Sequence, residues 1–368
     1  MSVNILNKVR IKMTKKILSI LSVLSVFSIS LLNAADKKIG FIYIGPPGDH
    51  GWTYMHDVGR KYMEEKLGDS ISTTYIENVP ENADAVRSIR KLAQSGHDLI
   101  FTTSFNYMDQ TLEVAKEFPD VKFEHATGFQ RLDNVSTYSA RFYEGRSVIG
   151  HIAGKMTETN TIGYIVSFPI PEVIRGINAF YLAASKVNPD VKIKIIWVYS
   201  WYDPGKEADA ANTLINQGAD IIVQHTDSYA PCQAAEKAGV LAFGQASNQE
   251  AFCPNAHMTA IEDIWGPYYA AKAQAVLDGT WKSEDTWHGF KEGMVEMSPY
   301  NENLLSDDLI AEAKAMEAAI EDGSFHSFEG PIYNQAGELV VPEGEVADDG
   351  MLAGMMFYVQ GIDGDIPQ

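Results

Sequence analysis

The chain has only two cysteines, Cys232 and Cys253, in 368 residues, so no disulfide-stapled small fold is possible. Neither sits in a Cys-x-x-Cys or beside a histidine pair at metal-ligand spacing, which argues against a zinc or thiol-redox centre. In an oxidising compartment the pair forms one disulfide or stays as two separate buried thiols; spacing alone leaves both open. Basic residues are also scarce: 29 Lys and Arg stand against 49 Asp and Glu, a net charge of −20. Nucleic acid and anionic lipid are therefore poor partners, because phosphate binding needs a basic footprint. Gly-x-Ser-x-Gly, Gly-x-Gly-x-x-Gly and Gly-x-x-x-x-Gly-Lys motifs are missing, so the common serine-hydrolase, dinucleotide and phosphate-loop chemistries find no support. No enzyme and no cofactor is expected; paired carboxylates in a cleft keep only a nucleoside hydrolase as an alternative.

A single long apolar run is present, at the amino end. Lys8, Arg10, Lys12, Lys15 and Lys16 precede an apolar stretch from Ile17 to Leu32 that closes on Asn33-Ala34-Ala35. That is the charge, core and small-residue pattern of a secretory leader, and it is shorter than the roughly 20 residues that cross a bilayer. Residues 1–35 are read as a cleaved signal peptide, opened by Met1 or Met13. Its five basic and no acidic residues leave −25 on the rest of the chain. Without a cysteine at the cleavage point no lipid anchor is expected, and the product is a soluble protein outside the cytoplasm.

Beyond the leader, short apolar runs at Ile39 to Ile44, Leu99 to Phe101, Thr161 to Val166, Ile193 to Val198, Ile221 to Val223 and Leu241 to Phe243 alternate with helical patterns. The helical stretches include Tyr54 to Lys66, Ala83 to Gln94, Val173 to Val187 and Lys206 to Gln217. This alternation predicts α/β architecture with parallel, doubly wound sheets. An internal echo divides the chain. Ile39-Gly40-Phe41-Ile42 is answered by Ile162-Gly163-Tyr164-Ile165, and Gly96-His97-Asp98-Leu99 by Gly218-Ala219-Asp220-Ile221, at nearly constant offset. Two similar lobes are therefore expected, with ligand held at the carboxyl ends of their strands.

The loops at those ends carry aromatics and acids. Asp49 and Trp52 follow the first strand; Trp201, Tyr202 and Asp203 stand in the second half; Asp227, Asn248, Asp263 and Trp265 follow later strands. Flat aromatic faces suit a planar ring, and carboxylates accept from N–H and O–H donors, so a purine base or nucleoside fits better than a phosphorylated ligand. A sugar also uses both features. Asp203 precedes Pro204 at a favoured first helical position and also reads as a helix cap. Trp201 and Trp265 also read as packing aromatics, and His50, His225 and His288 as capping or surface residues.

In order and spacing, Gly40-Phe41-Ile42-Tyr43, Asp49-His50-Gly51-Trp52, Arg146 to Gly154, Trp201-Tyr202-Asp203-Pro204 and Gly289-Phe290-Lys291-Glu292-Gly293 resemble the basic membrane protein or PnrA-like family. Its members are substrate-binding components of ABC importers. The resemblance implies a type I periplasmic binding fold, two lobes joined by a hinge, with 36–157 plus 259–287 in the first and 158–258 plus 288–368 in the second. It also implies a periplasmic monomer, a small-molecule ligand and permease subunits as partners. By match of positions, Asp49, Trp52, Phe105, Asp263 and Lys291 would line the cleft, with an aromatic of the Trp201-Tyr202 loop over the ring. Trp52-Thr53 stand where many members have Phe-Asn, and the Trp-Tyr-Asp-Pro and Gln-Ala-Ser-Asn segments resemble a branch whose ligand is a free base such as adenine. A chemoreceptor module on the same fold is the alternative from another functional class.

Overall fold

The computed structural model describes residues 37–367, so the leader lies outside the described residues. Two six-stranded sheets, each carrying helices between its strands, account for most of the chain. The first contains β1 (Lys37–Ile42), β2 (Ile71–Ile76), β3 (Leu99–Thr102), β4 (Lys122–Ala126), β5 (Val135–Ala140) and β11 (Asp285–His288), in the order β11-β5-β4-β3-β1-β2 and all parallel. The second contains β6 (Thr161–Val166), β7 (Lys192–Trp197), β8 (Ile221–His225), β9 (Leu241–Ala246), β10 (His257–Asp263) and β12 (Val295–Met297). Its order, β12-β10-β9-β8-β6-β7, repeats the first, with β12 antiparallel.

The echo has a packing cause. Gly40 lies under α2 (Ala83–Gln94), where a Cβ would stand 2.7 Å from Leu92 Cδ1; Gly163 lies under α6 (Pro204–Asn216), where one would stand 2.8 Å from Leu214 Cβ. Each lobe thus drops a side chain from its first strand so that a helix can sit directly on it. The paired aspartates repeat as well. Asp98 accepts from Lys38 N at 3.0 Å, and Asp220 accepts from Glu158 N and Thr159 N at 2.6 and 2.8 Å, so each ties down the segment entering or leading to its sheet's first strand.

Helices α1 (Trp52–Leu67), α3 (Met108–Glu117) and α8 (Gly266–Leu277) join α2 on the first sheet, and α4 (Phe142–Met156), α5 (Pro171–Val187), α7 (Ala230–Ala238) and α9 (Asp307–Glu321) join α6 on the second. The packing of α4 moves one expected boundary. It lies against α5 so closely that a Cβ on Gly150 would stand 2.3 Å from Phe180 O. Likewise β10 pairs with β9 along its length. The chain therefore passes between the two sheets near Arg141, Ile264 and Gly289, where divisions after 157, 258 and 287 were expected. Cys232 and Cys253, both fully buried, are joined in a disulfide that links α7 to the turn before β10.

Residues 325–367 wrap the second lobe: β13 (Ile332–Tyr333) and β14 (Leu339–Val341) form a hairpin, and α10 (Asp349–Ala353) follows. Asn178 on α5 donates to Phe357 O at 2.8 Å and accepts from Val359 N at 3.1 Å. No helix among the described residues is long and apolar enough to cross a membrane.

Candidate ligand-binding cleft

The carboxyl ends of both sheets face one another across a cavity lined by Ile44, Trp52, Ser104, Phe105 and Thr127 from the first lobe and Glu172, Trp201, His225, Asp227 and Gln245 from the second. The cavity measures about 350 Å³, its mouth to solvent included. The space is a slot. A broader groove lined by Lys272, Trp281, Trp287 and Asp349 opens widely to solvent and shares no residue with it.

Trp52 starts α1 and is fixed by a hydrogen bond from its indole N–H to Thr103 O at 2.7 Å. Behind it, Trp265 is fully buried, edge-to-face with Trp52 at 5.5 Å and stacked flat on His56 at 4.9 Å. Trp265 therefore supports the wall and does not form it. Phe105 enters from the turn after β3, held by His125 Nε2 against Ser104 O at 2.9 Å. From the opposite lobe comes Trp201, tilted against Phe168 at 5.2 Å, with its buried indole N–H bonded to no protein acceptor among the described residues.

The acids divide by their partners. Asp49 accepts from Gly51 N, Thr53 N and Tyr54 N at 2.9 to 3.0 Å; it caps α1 and lies outside the cavity lining, its carboxyl pushed up to about 6 by burial against the pull of these bonds. Asp203 accepts from Lys206 N at 3.1 Å and is the cap of α6, as its place before Pro204 allows. Asp227 is buried at the slot with no hydrogen bond to its carboxyl among the described residues; burial and then Asp49, Glu207 and Asp263 hold its value well above the usual range. Asp263, at the end of β10, is fully buried beside Glu172 and Arg146, neither oxygen has a protein donor among the described residues, and burial raises it strongly. Tyr202 stands near these acids but outside the lining.

Two expected contacts are corrected. Asn248 is exposed and accepts from Glu250 N at 2.9 Å, capping a turn, while Gln245, three residues earlier, reaches the slot. Lys291 is exposed in the turn after β11, away from the cavity. His225, expected in a capping or surface role, is instead buried in the wall with Nε2 3.4 Å from Glu172 Oε1, and burial lowers its basicity. Glu172 and His225 gave no signal in the sequence, because one acid in the first turn of a helix and one histidine ending a strand carry no pattern of their own.

A family model described as ABC transporter substrate-binding protein, PnrA-like, matches residues 36–325. The chain belongs to that family. A purine-binding protein of Brucella abortus is 57% identical over 331 residues, covering 90% of this chain and 94% of that one. A Haloferax volcanii protein, provisionally named as the glucose-binding component of an ABC transporter, is 35% identical over 89% of this chain and 80% of its own. Among solved structures, solute-binding proteins from Aeropyrum pernix share the fold with a TM-score of 0.70 at 18% identity, over 86% of this chain and 95% of theirs. A transcriptional activator of the comK gene from Bacillus halodurans does so at 0.66 and 21%, over 78% and 99%. Membership in the PnrA-like family makes the chain a substrate-binding component, with a small molecule as ligand and permease subunits as partners. The slot is where two such lobes bring strand-end loops together.

Proposed function

We propose that this protein captures a purine base between its lobes, outside the cytoplasm and as a monomer freed by leader cleavage, and delivers it to an importer. The observation that carries the reading is the slot itself. Its small volume suits a single flat ring system, Trp52, Phe105 and Trp201 offer aromatic faces, and Asp227 in its wall is a carboxyl lacking protein donors among the described residues, whereas Asp263 lies outside the lining. A ring with several N–H groups supplies those donors, whereas a phosphate or carboxylate would add charge to an acidic wall. The cavity is small, so the free base, lacking the added bulk of a ribose, is the better fit than the nucleoside. The Brucella relative, named for purine binding, supports the same class. The protein acts by binding and not by turnover.

Isothermal titration with adenine, hypoxanthine, guanine, adenosine and glucose tests this. Purine bases should bind in the micromolar range or tighter, and Trp52→Ala should weaken them roughly tenfold or more. Glucose binding without purine binding would overturn the reading, as would ribose released from adenosine on incubation.

A further inference from the structure

The slot wall has one built-in hydrogen-bond donor whose direction is dictated by a residue that never touches the cavity. Arg146 on α4 is buried, donates Nη1 to Gln224 O at 2.9 Å and Nη2 to Gln245 Oε1, and lies 5.7 Å from the Tyr164 ring centroid. A guanidinium carries five N–H donors and no acceptor, so the only atom of the Gln245 amide that can face it is the oxygen. Side-chain amides in general can flip; this one cannot without setting N–H against N–H in a buried site. Gln245 lines the cavity, and among the described residues the one hydrogen bond of its side chain is that accepted by its oxygen from Arg146.

We infer that Arg146 is a positioning residue that locks Gln245 as a donor, and that Gln245 thereby selects purines presenting a ring nitrogen or carbonyl acceptor at one defined position. This rests on the purine reading above and deepens it. The carboxyl oxygens of Asp227 and Glu172 in the same wall can accept from ring N–H groups, so the wall reads a donor edge and an acceptor edge of one ring at once. Selectivity then comes from the penalty of an unmatched buried polar group and not from the strength of the match alone.

The test is a titration of the full processed chain with adenine and its 1-, 3-, 7- and 9-deaza analogues, each of which replaces one ring nitrogen by C–H. Wild-type protein should lose roughly tenfold or more in affinity for one analogue beyond any loss due to missing N–H donors. Gln245→Glu keeps the Arg146 contact but turns the cavity-facing donor into an acceptor. It should weaken adenine about tenfold or more and abolish the preference at that same position. Arg146→Met frees the amide to rotate and should blunt the same preference, while Arg146→Lys, still donor-only, should keep it. Gln245→Met, which removes the donors at similar volume, gives the same reading if the buried glutamate impairs folding. An identical deaza profile in wild type and the Gln245 variants would overturn this inference while leaving purine binding intact. If no purine binds wild type, the functional reading falls and this inference falls with it.

Discussion

Asp49 and Asp203 engage backbone amides at helix starts, whereas Asp227 and Asp263 meet no protein donor among the described residues. Sequence reading treated Asp49, Asp227 and Asp263 alike, because an aspartate in a strand-to-helix loop looks the same whether its partner is a backbone N–H two residues on or a ligand. The distinction lies in backbone direction, which residue type does not encode. Position before a proline gave Asp203 a cap reading beside the ligand reading, since Pro at the first helical position marks the preceding residue as the cap, and it is the cap that the structure shows. Trp265 and Trp52 posed the same problem, and burial resolves it. A third kind of buried acid appears away from the slot. Glu124 on β4 is fully buried, accepts from Tyr268 Oη and Trp281 Nε1 at 2.7 Å each, and is pushed up to about 7 by burial, against the pull of Lys272. A carboxyl raised in the folded state favours the protonated fold. Its stabilising contribution is complete below the ordinary value of 4.5 and is lost as pH rises through about 7. Glu124→Gln removes that titration, so the stability of wild type relative to the variant should fall by on the order of 3 kcal/mol between pH 4.5 and 8. Urea unfolding of both proteins across that range cancels every other titrating group; a pH-independent difference would show that Glu124 does not change protonation within the fold.

Strands buried on both faces were legible wherever they were continuous apolar runs, as in β1, β6 and β8, because such runs have no other stable home in a chain this polar. Three were not. β2 reads Ile-Ser-Thr-Thr-Tyr-Ile and lies at a sheet edge with most residues partly exposed, and β5 reads Val-Ser-Thr-Tyr-Ser-Ala, polar yet almost wholly buried. β4 carries Glu124 and His125 inside the core, which becomes tolerable only once Tyr268, Trp281 and the Ser104 carbonyl arrive from distant segments. Helix α4 hid in the Arg146 to Gly154 motif, where glycines needed for close packing on α5 dilute the helical pattern. The disulfide was left open by spacing, and the fold decides it: α7 and the turn before β10 converge from opposite sides of β9. Closing a loop of 21 residues should restrict the unfolded chain by about 3 kcal/mol. Cys232→Ser with Cys253→Ser should therefore lower the unfolding free energy by about that amount, read by denaturant titration with the slope fitted for each protein. Equal unfolding free energies would mean the bond contributes nothing beyond the packing around it.

At the scale of the whole molecule, binding depends on two lobes meeting, and the structure shows where they touch besides the slot. The loop before α1 reaches across: His50 O accepts from Ser247 Oγ at 2.5 Å and Gln249 Nε2 at 3.3 Å, while the His50 ring packs 4.7 Å from Phe252, itself stacked on Tyr229 at 4.0 Å. Next to it, Gly51 comes against the Asp227 backbone so tightly that a Cβ would stand 2.0 Å from the carbonyl oxygen. That carbonyl has little room to retreat, because Asp227 N is bonded to Trp201 O at 2.9 Å and neighbouring Ser228 is held by Glu207. A ligand shifts a two-state equilibrium only by its differential affinity, and contacts from both walls exist only when this loop has docked. Gly51→Ala should therefore prop the lobes apart without disturbing either sheet. Thermal stability without ligand should stay close to wild type, while adenine affinity falls roughly thirtyfold or more, since each wall would hold the ring alone. Small-angle scattering supplies the second readout: wild type should contract on adding adenine, and the variant should not. Full affinity with full contraction in Gly51→Ala would mean that closure follows another path and that the loop contact is incidental to capture.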